Sequence, residues 1–132
     1  MPPEIVNHQK YDLKVDIWSA GCVAYVMMTG KPPFFGSTKD EVYTAIKETE
    51  PDIDKNLASV SENARNFIKA TLVKDPEKRL SAFDALQHPW LVDVDLYQNQ
   101  DGPKLENVVQ NLGNFCQMNN FKKMVISIVA SL

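Results

Sequence analysis

Lys14–Gly30 reads KVDIWSAGCVAYVMMTG, and this stretch decides the fold. Val15, Trp18, Cys22, Val26 and Met27 recur at helical spacing, and Ile17, Ala20, Ala24 and Met28 fill the remaining faces. A helix over 14–29 that is apolar nearly all round belongs at the centre of a domain. Gly30 supplies the left-handed stop, and Pro32-Pro33 prevents continuation. The longest apolar stretch, Ala20 to Thr29, is too short to span a membrane.

Working outward, helices dominate. After a loop over 31–37, Thr38 and Glu41 form a capping box that opens a helix to residue 48, with Val42, Ala45 and Ile46 inward. Residues 50–60 are polar, contain a proline and read as loop. Ser61 caps a helix over 61–72 whose inner side is Ala64, Phe67, Ile68, Thr71 and Leu72, and Asp75-Pro76 ends it. Ser81 and Asp84 open a short helix over 81–87 that stops at His88-Pro89. Residues 93–104, rich in Asp, Asn and Gln, read as a linker. Leu105, Val108, Val109, Leu112, Phe115 and Cys116 then make one apolar stripe. Phe121, Met124, Val125, Ile128, Val129 and Leu132 make a second. The two are out of phase, which requires either a bend near Asn119-Asn120 or a long helix whose contact face rotates. The second stripe runs to the last residue without a stop signal, which leads us to expect that the chain was cut there.

The 132 residues are 44% hydrophobic and 23% charged, ordinary for one soluble globular domain. Residues 1–100 carry 15 acids and 11 bases, and residues 101–132 carry 2 acids and 3 bases. That balance offers no basic stripe for nucleic acid or an anionic membrane. Cys22 and Cys116 lie far apart within apolar stretches and read as two buried free thiols in a reducing cytosol. His8 and His88 show no metal-ligand spacing, and His88 reads as a capping and packing residue. Ser37, Ser61 and Ser81 have no nucleophile-activating partner in the sequence pattern.

Five motifs in order carry a family resemblance. Met1-Pro2-Pro3-Glu4 resembles the A-P-E motif that closes a protein-kinase activation segment, with Pro2 in place of Ala. Asp16-Ile17-Trp18-Ser19-Ala20-Gly21 resembles D-x-W-S-x-G, and Gly30-Lys31-Pro32-Pro33-Phe34 resembles G-x-P-P-F. Asp75-Pro76-Glu77-Lys78-Arg79-Leu80-Ser81 resembles D-P-x-x-R-x-[ST], and His88-Pro89-Trp90 resembles the closing H-P-W. Downstream, Phe115-Cys116-Gln117-Met118-Asn119-Asn120-Phe121-Lys122-Lys123-Met124 is similar to the junction segment of plant and protist calcium-dependent protein kinases.

The resemblance implies an all-α fold, the helical subdomain of the kinase large lobe, followed by a C-terminal amphipathic helix. It divides the chain into 1–92 (partial large lobe), 93–104 (linker) and 105–132 (junction-like helix). It implies supporting roles for Glu4, Asp16, Trp18, Gly21 and Arg79, with Glu4 and Arg79 in a buried two-pronged ion pair near Trp18. Asp16 would hold the catalytic-loop backbone in the family, or cap its own helix. Basophilic relatives carry Glu where this sequence has Val26, which reads here as core. Phe115, Met118, Phe121, Lys122, Lys123, Val125 and Ile128 would form the regulatory helix, a calmodulin-type target beside two lysines. The expected helix over 105–132 is at least partly detached, and the platform exposes apolar surface.

Phosphoryl transfer needs a glycine-rich loop, a phosphate lysine, a catalytic Asp and magnesium ligands. G-x-G-x-x-G, V-A-I-K, H-R-D-x-x-x-x-N and D-F-G are absent from the sequence, as are EF-hand loops. The chain alone is therefore expected to be inactive and to hold no catalytic, cofactor or metal residue. Its parent would use ATP, Mg and Ca, and its partners would be the missing kinase N-lobe, an EF-hand domain and a protein substrate. Two readings follow. One is a piece of a calcium-dependent Ser/Thr kinase, favoured by Met1 standing directly against the Pro-Pro-Glu motif. The other is a non-catalytic module that binds partners or calcium-loaded EF-hand proteins through residues 105–132. A calmodulin-dependent kinase relative with a different regulatory helix is a narrower variant of the first.

Overall fold

The computed structural model describes residues 1–92 and 105–117. These residues are helical, with no strand among them. The helices are α1 (Pro3–Val6), α2 (Lys14–Thr29), α3 (Lys39–Glu48), α4 (Ile53–Asn56), α5 (Glu62–Thr71), α6 (Ala82–Leu86), α7 (Pro89–Val92) and α8 (Leu105–Gln117). The expected all-α fold is what forms. The single-turn helices α4 and α7 correct the reading of residues 50–60 as loop and of Pro89 as a stop. Asp52 begins α4 by accepting the Lys55 N–H at 3.2 Å. Pro at the first helical position of α7 gives up no needed donor, and the His88 ring caps it by accepting the Trp90 N–H at 3.2 Å.

Caps set the helix starts. Thr38 Oγ1 accepts from Glu41 N–H at 3.2 Å, while the Glu41 carboxylate reaches back to the Ser37 N–H rather than that of Thr38. The capping box is thus displaced outward by one residue. Ser61 and Ser81 cap α5 and α6 by accepting from Ala64 and Asp84 N–H groups. At the other end of α2, Gly30 takes φ 71° and donates its N–H to Val26 O at 2.8 Å.

α2 is the centre, contacting α5, α6 and α8. Gly21 allows the α5 crossing: a Cβ there would overlap the Thr71 hydroxyl and come within 2.8 Å of Thr71 Cβ. The core joins Trp18, Ala24 and Tyr25 of α2 to Ile46, Ile53, Leu57, Ala64, Ile68 and Leu72. Val26 is buried, consistent with its reading as core. Yet α2 is not enclosed. Asp16, Ser19, Ala20 and Val23, spaced along one side, are exposed, and Tyr11 and Leu13 beside them are exposed too. A helix apolar nearly all round is here left open along one side, where Ala20, Val23 and the neighbouring Tyr11 and Leu13 present apolar surface.

Candidate functional site

A buried, fully hydrogen-bonded ion pair is built from two distant motifs. Pro3 opens α1 and puts Glu4 in its first turn. Asp75 folds the chain after α5 into a turn, accepting the Glu77 N–H on its side chain and the Lys78 and Arg79 N–H groups on its carbonyl. Lys14 Nζ fastens that turn to α2 by donating to Pro76 O at 2.8 Å. Arg79 is thereby aimed inward, and both it and Glu4 are 2% exposed.

The pair is two-pronged. Arg79 Nη1 donates to Glu4 Oε1 at 2.7 Å, and Nη2 donates to Oε2 at 2.9 Å. The other three guanidinium N–H groups go to the carbonyls of Val73 (2.8 Å), Lys14 (3.1 Å) and Lys74 (3.2 Å). Arg carries five donors in a rigid fork, and all five are used. The guanidinium lies 5.0 Å from the centre of the Trp18 ring, on which Phe34 stacks at 5.4 Å. Burial pushes the Glu4 carboxyl upward, but the Arg79 hydrogen bonds and charge outweigh it and hold the group below its ordinary value. The site is a clamp holding α1, α2 and the turn after α5 in one arrangement. It contains no nucleophile and no group that moves a proton at neutral pH. Among the described residues, no cluster of three or more His, Cys, Asp or Glu side chains could hold a metal ion.

A family model of the protein kinase domain matches residues 1–91. The chain belongs to the protein kinase domain family. Calcium-dependent protein kinase 29 of Arabidopsis thaliana is 35% identical over 97% of this chain, which covers 23% of that kinase. Human death-associated protein kinase 2 is 41% identical over 86% of the chain, covering 30% of the relative. A twitchin kinase region from C. elegans superposes with a TM-score of 0.68 at 25% identity, over 92% of this chain and 20% of that one. The chain thus spans about a quarter of the length of the calcium-dependent kinase it matches.

Within this kinase platform, the structure brings Glu4, Trp18 and Arg79 together and puts Gly21 at the α2–α5 crossing. Asp16 does not join them. It is exposed in the first turn of α2, and among the described residues no hydrogen bond reaches its carboxylate. Asp12, one residue before the N-cap Leu13, accepts the Lys14 N–H on its side chain at 2.8 Å. Cys22 is mostly buried, and burial pushes its thiol up to about 11. Cys116 corrects the sequence reading: it is exposed on α8. Phe115 is half-buried on α8, whereas Met118, Phe121, Lys122, Lys123, Val125 and Ile128 lie outside the described residues, as does the linker over 93–104.

Residues 105–117 of the helix expected to be at least partly detached are docked on α2. α8 packs on α2, burying Val108. Asn111 Nδ2 donates to the carbonyls of Met27 at 3.1 Å and Met28 at 3.0 Å. Sequence reasoning missed Asn111, because nothing in the pattern separates it from Asn107 and Asn114 on the same helix. It also missed Phe34 as the stacking partner of Trp18, since a sequence gives no ring geometry. His88 packs edge-on against Phe67 at 5.2 Å, and Trp90 lies 4.9 Å from the same ring. The H-P-W motif thus closes onto α5, and burial holds the His88 pKa below its ordinary value.

Proposed function

We propose that the chain is the helical platform and first junction helix of a calcium-regulated Ser/Thr protein kinase, which transfers phosphate from ATP to protein Ser or Thr. The observation that carries the reading is where the likeness extends. The kinase family model ends at residue 91, but the match to a calcium-dependent kinase covers 97% of the chain and so runs on through the tail. The Glu4–Arg79 clamp on Trp18 supports a platform role, because it gives rigidity without chemistry. ATP, Mg and Ca belong to the parent protein in this reading, and the chain by itself is inert and cytoplasmic. No helix of the described residues is long and apolar enough to cross a membrane.

A second reading has the chain act by binding alone, capturing calcium-loaded EF-hand proteins through residues 105–132. The exposed Val109, Leu112 and Cys116 of α8 favour it, since they form an uncovered apolar edge on an amphipathic helix. One experiment addresses both. The purified chain is titrated with calmodulin, with calcium and with a chelator, and separately assayed for transfer of labelled phosphate from ATP to a mixed Ser/Thr peptide pool. Calcium-dependent binding without transfer supports the regulated platform. Absence of calcium-dependent binding removes the calcium-regulated part of the reading, and transfer by the chain alone removes the inert-platform part.

A further inference from the structure

The C-terminus of α2 is completed by a residue 83 and 84 positions away from the carbonyls it serves. A helix leaves its last four carbonyls without intrahelical donors. In α2, Gly30 N–H serves Val26 O, and the Asn111 amide serves both Met27 O and Met28 O. The approach that permits this is tight. A Cβ on Gly30 would lie 3.3 Å from Asn111 Oδ1 and 3.4 Å from Asn111 Cα and O, so α8 lies directly over the glycine. Gly30 also needs its positive φ of 71° to end α2 at this point. Two independent features of one glycine, its backbone angle and its missing side chain, therefore make the seat into which Asn111 fits.

The apolar part of the docking rests on Val108, with Phe115 half-buried. Among α8 residues 106–117 only Val108 is buried, while Val109 is 61% exposed and Leu112 37%. α8 thus lies against α2 along one edge and is pinned by an amide at its middle.

We infer that Asn111 is a clasp: it fastens α8 as a releasable strap across the C-terminus of α2, with Gly30 as its seat. The strap and the end of α2 open together, because losing Asn111 returns the Met27 and Met28 carbonyls to water. The platform core, organised around α5 on another face of α2, does not depend on the clasp. This inference rests on the geometry alone and holds whether or not the protein is regulated by calcium.

The test is hydrogen exchange by mass spectrometry on the full 132-residue chain, comparing the native sequence with Asn111→Ala and Asn111→Asp. Two net hydrogen bonds shift a docking equilibrium by roughly 5- to 150-fold. Asn111→Ala is expected to speed exchange across 105–117 by a factor in that range, with the amides at 28–31 accelerating alongside and those of α5 unchanged. Asn111→Asp is expected to do more, because a carboxylate there faces the negative end of the α2 dipole. The inference is overturned if exchange across 105–117 is unaltered in both variants, if it already runs at the unprotected rate in the native chain, or if α5 accelerates by the same factor.

Discussion

Truncating Glu4 to alanine removes one side of a buried pair and leaves the other charged. Two of the five Arg79 donors, those now at 2.7 and 2.9 Å from the carboxylate, lose their acceptors in a site only 2% exposed. Breaking a buried pair from one side costs about 3–5 kcal/mol. Arg79→Met costs at least as much. It strands the Glu4 carboxylate and also takes the donor from three carbonyls, those of Lys14, Val73 and Lys74. Each stranded buried acceptor costs about 1–3 kcal/mol. The double variant Glu4→Leu/Arg79→Met removes both charges but still strands those carbonyls. It should therefore fall well short of the sum of the singles without returning to native stability. Urea unfolding followed by Trp fluorescence reads these differences, since Trp18 is buried against the pair. Should Glu4→Ala overwhelm the chain, Glu4→Gln, which keeps one acceptor, gives a smaller loss in the same order. A loss below about 1 kcal/mol for Glu4→Ala is what a solvated surface pair gives, and it would refute the clamp.

Three further predictions follow from the same geometry. The folded-state pKa of Glu4 is lowered from 4.5, so the folded chain binds fewer protons than the unfolded one. The pair's stabilisation is therefore fully present above pH 4.5 and lost as pH falls through the lowered value; an acid titration of the Glu4→Gln variant that keeps the same low-pH loss would contradict this. Gly21→Ala improves helix propensity by about 1 kcal/mol, but its Cβ meets Thr71, and overpacking costs about 1–3 kcal/mol. The expected net effect in a thermal melt is neutral to destabilising, and a higher Tm would show that α5 yields freely. Finally, a thiol reagent at pH 8 should label the exposed Cys116 and spare Cys22 until denaturant is added, because a thiol at about 11 is roughly a thousandth ionised there; equal labelling rates would oppose the burial of Cys22.

The sequence made the helices readable where side chains state their own business locally. Ser61 and Ser81 act as caps within three residues of their partners, and Gly30 ends α2 with an angle that glycine alone adopts cheaply. The Glu4–Arg79 pair spans 75 residues and is not readable from spacing; it was accessible only through the family's motifs. The burial of α2 was overestimated for a physical reason. Apolar residues on every face say that a helix can be enclosed, but its neighbours decide which faces are. Asp16 does not cap because it lies inside the first turn of α2, past the N-cap Leu13, while the Lys14 N–H is taken by Asp12. Asn111 was invisible because its partners are backbone carbonyls, which every sequence contains.

The central claim is that this chain serves as the helical platform of a calcium-regulated kinase, and sequencing the transcript across both ends of the reading frame tests it most directly. The account predicts an in-frame glycine-rich loop, V-A-I-K, H-R-D and D-F-G motifs upstream of Met1 and EF-hand loops downstream of Leu132. An in-frame stop before Met1 together with one directly after Leu132 would contradict it and leave a binding module in its place.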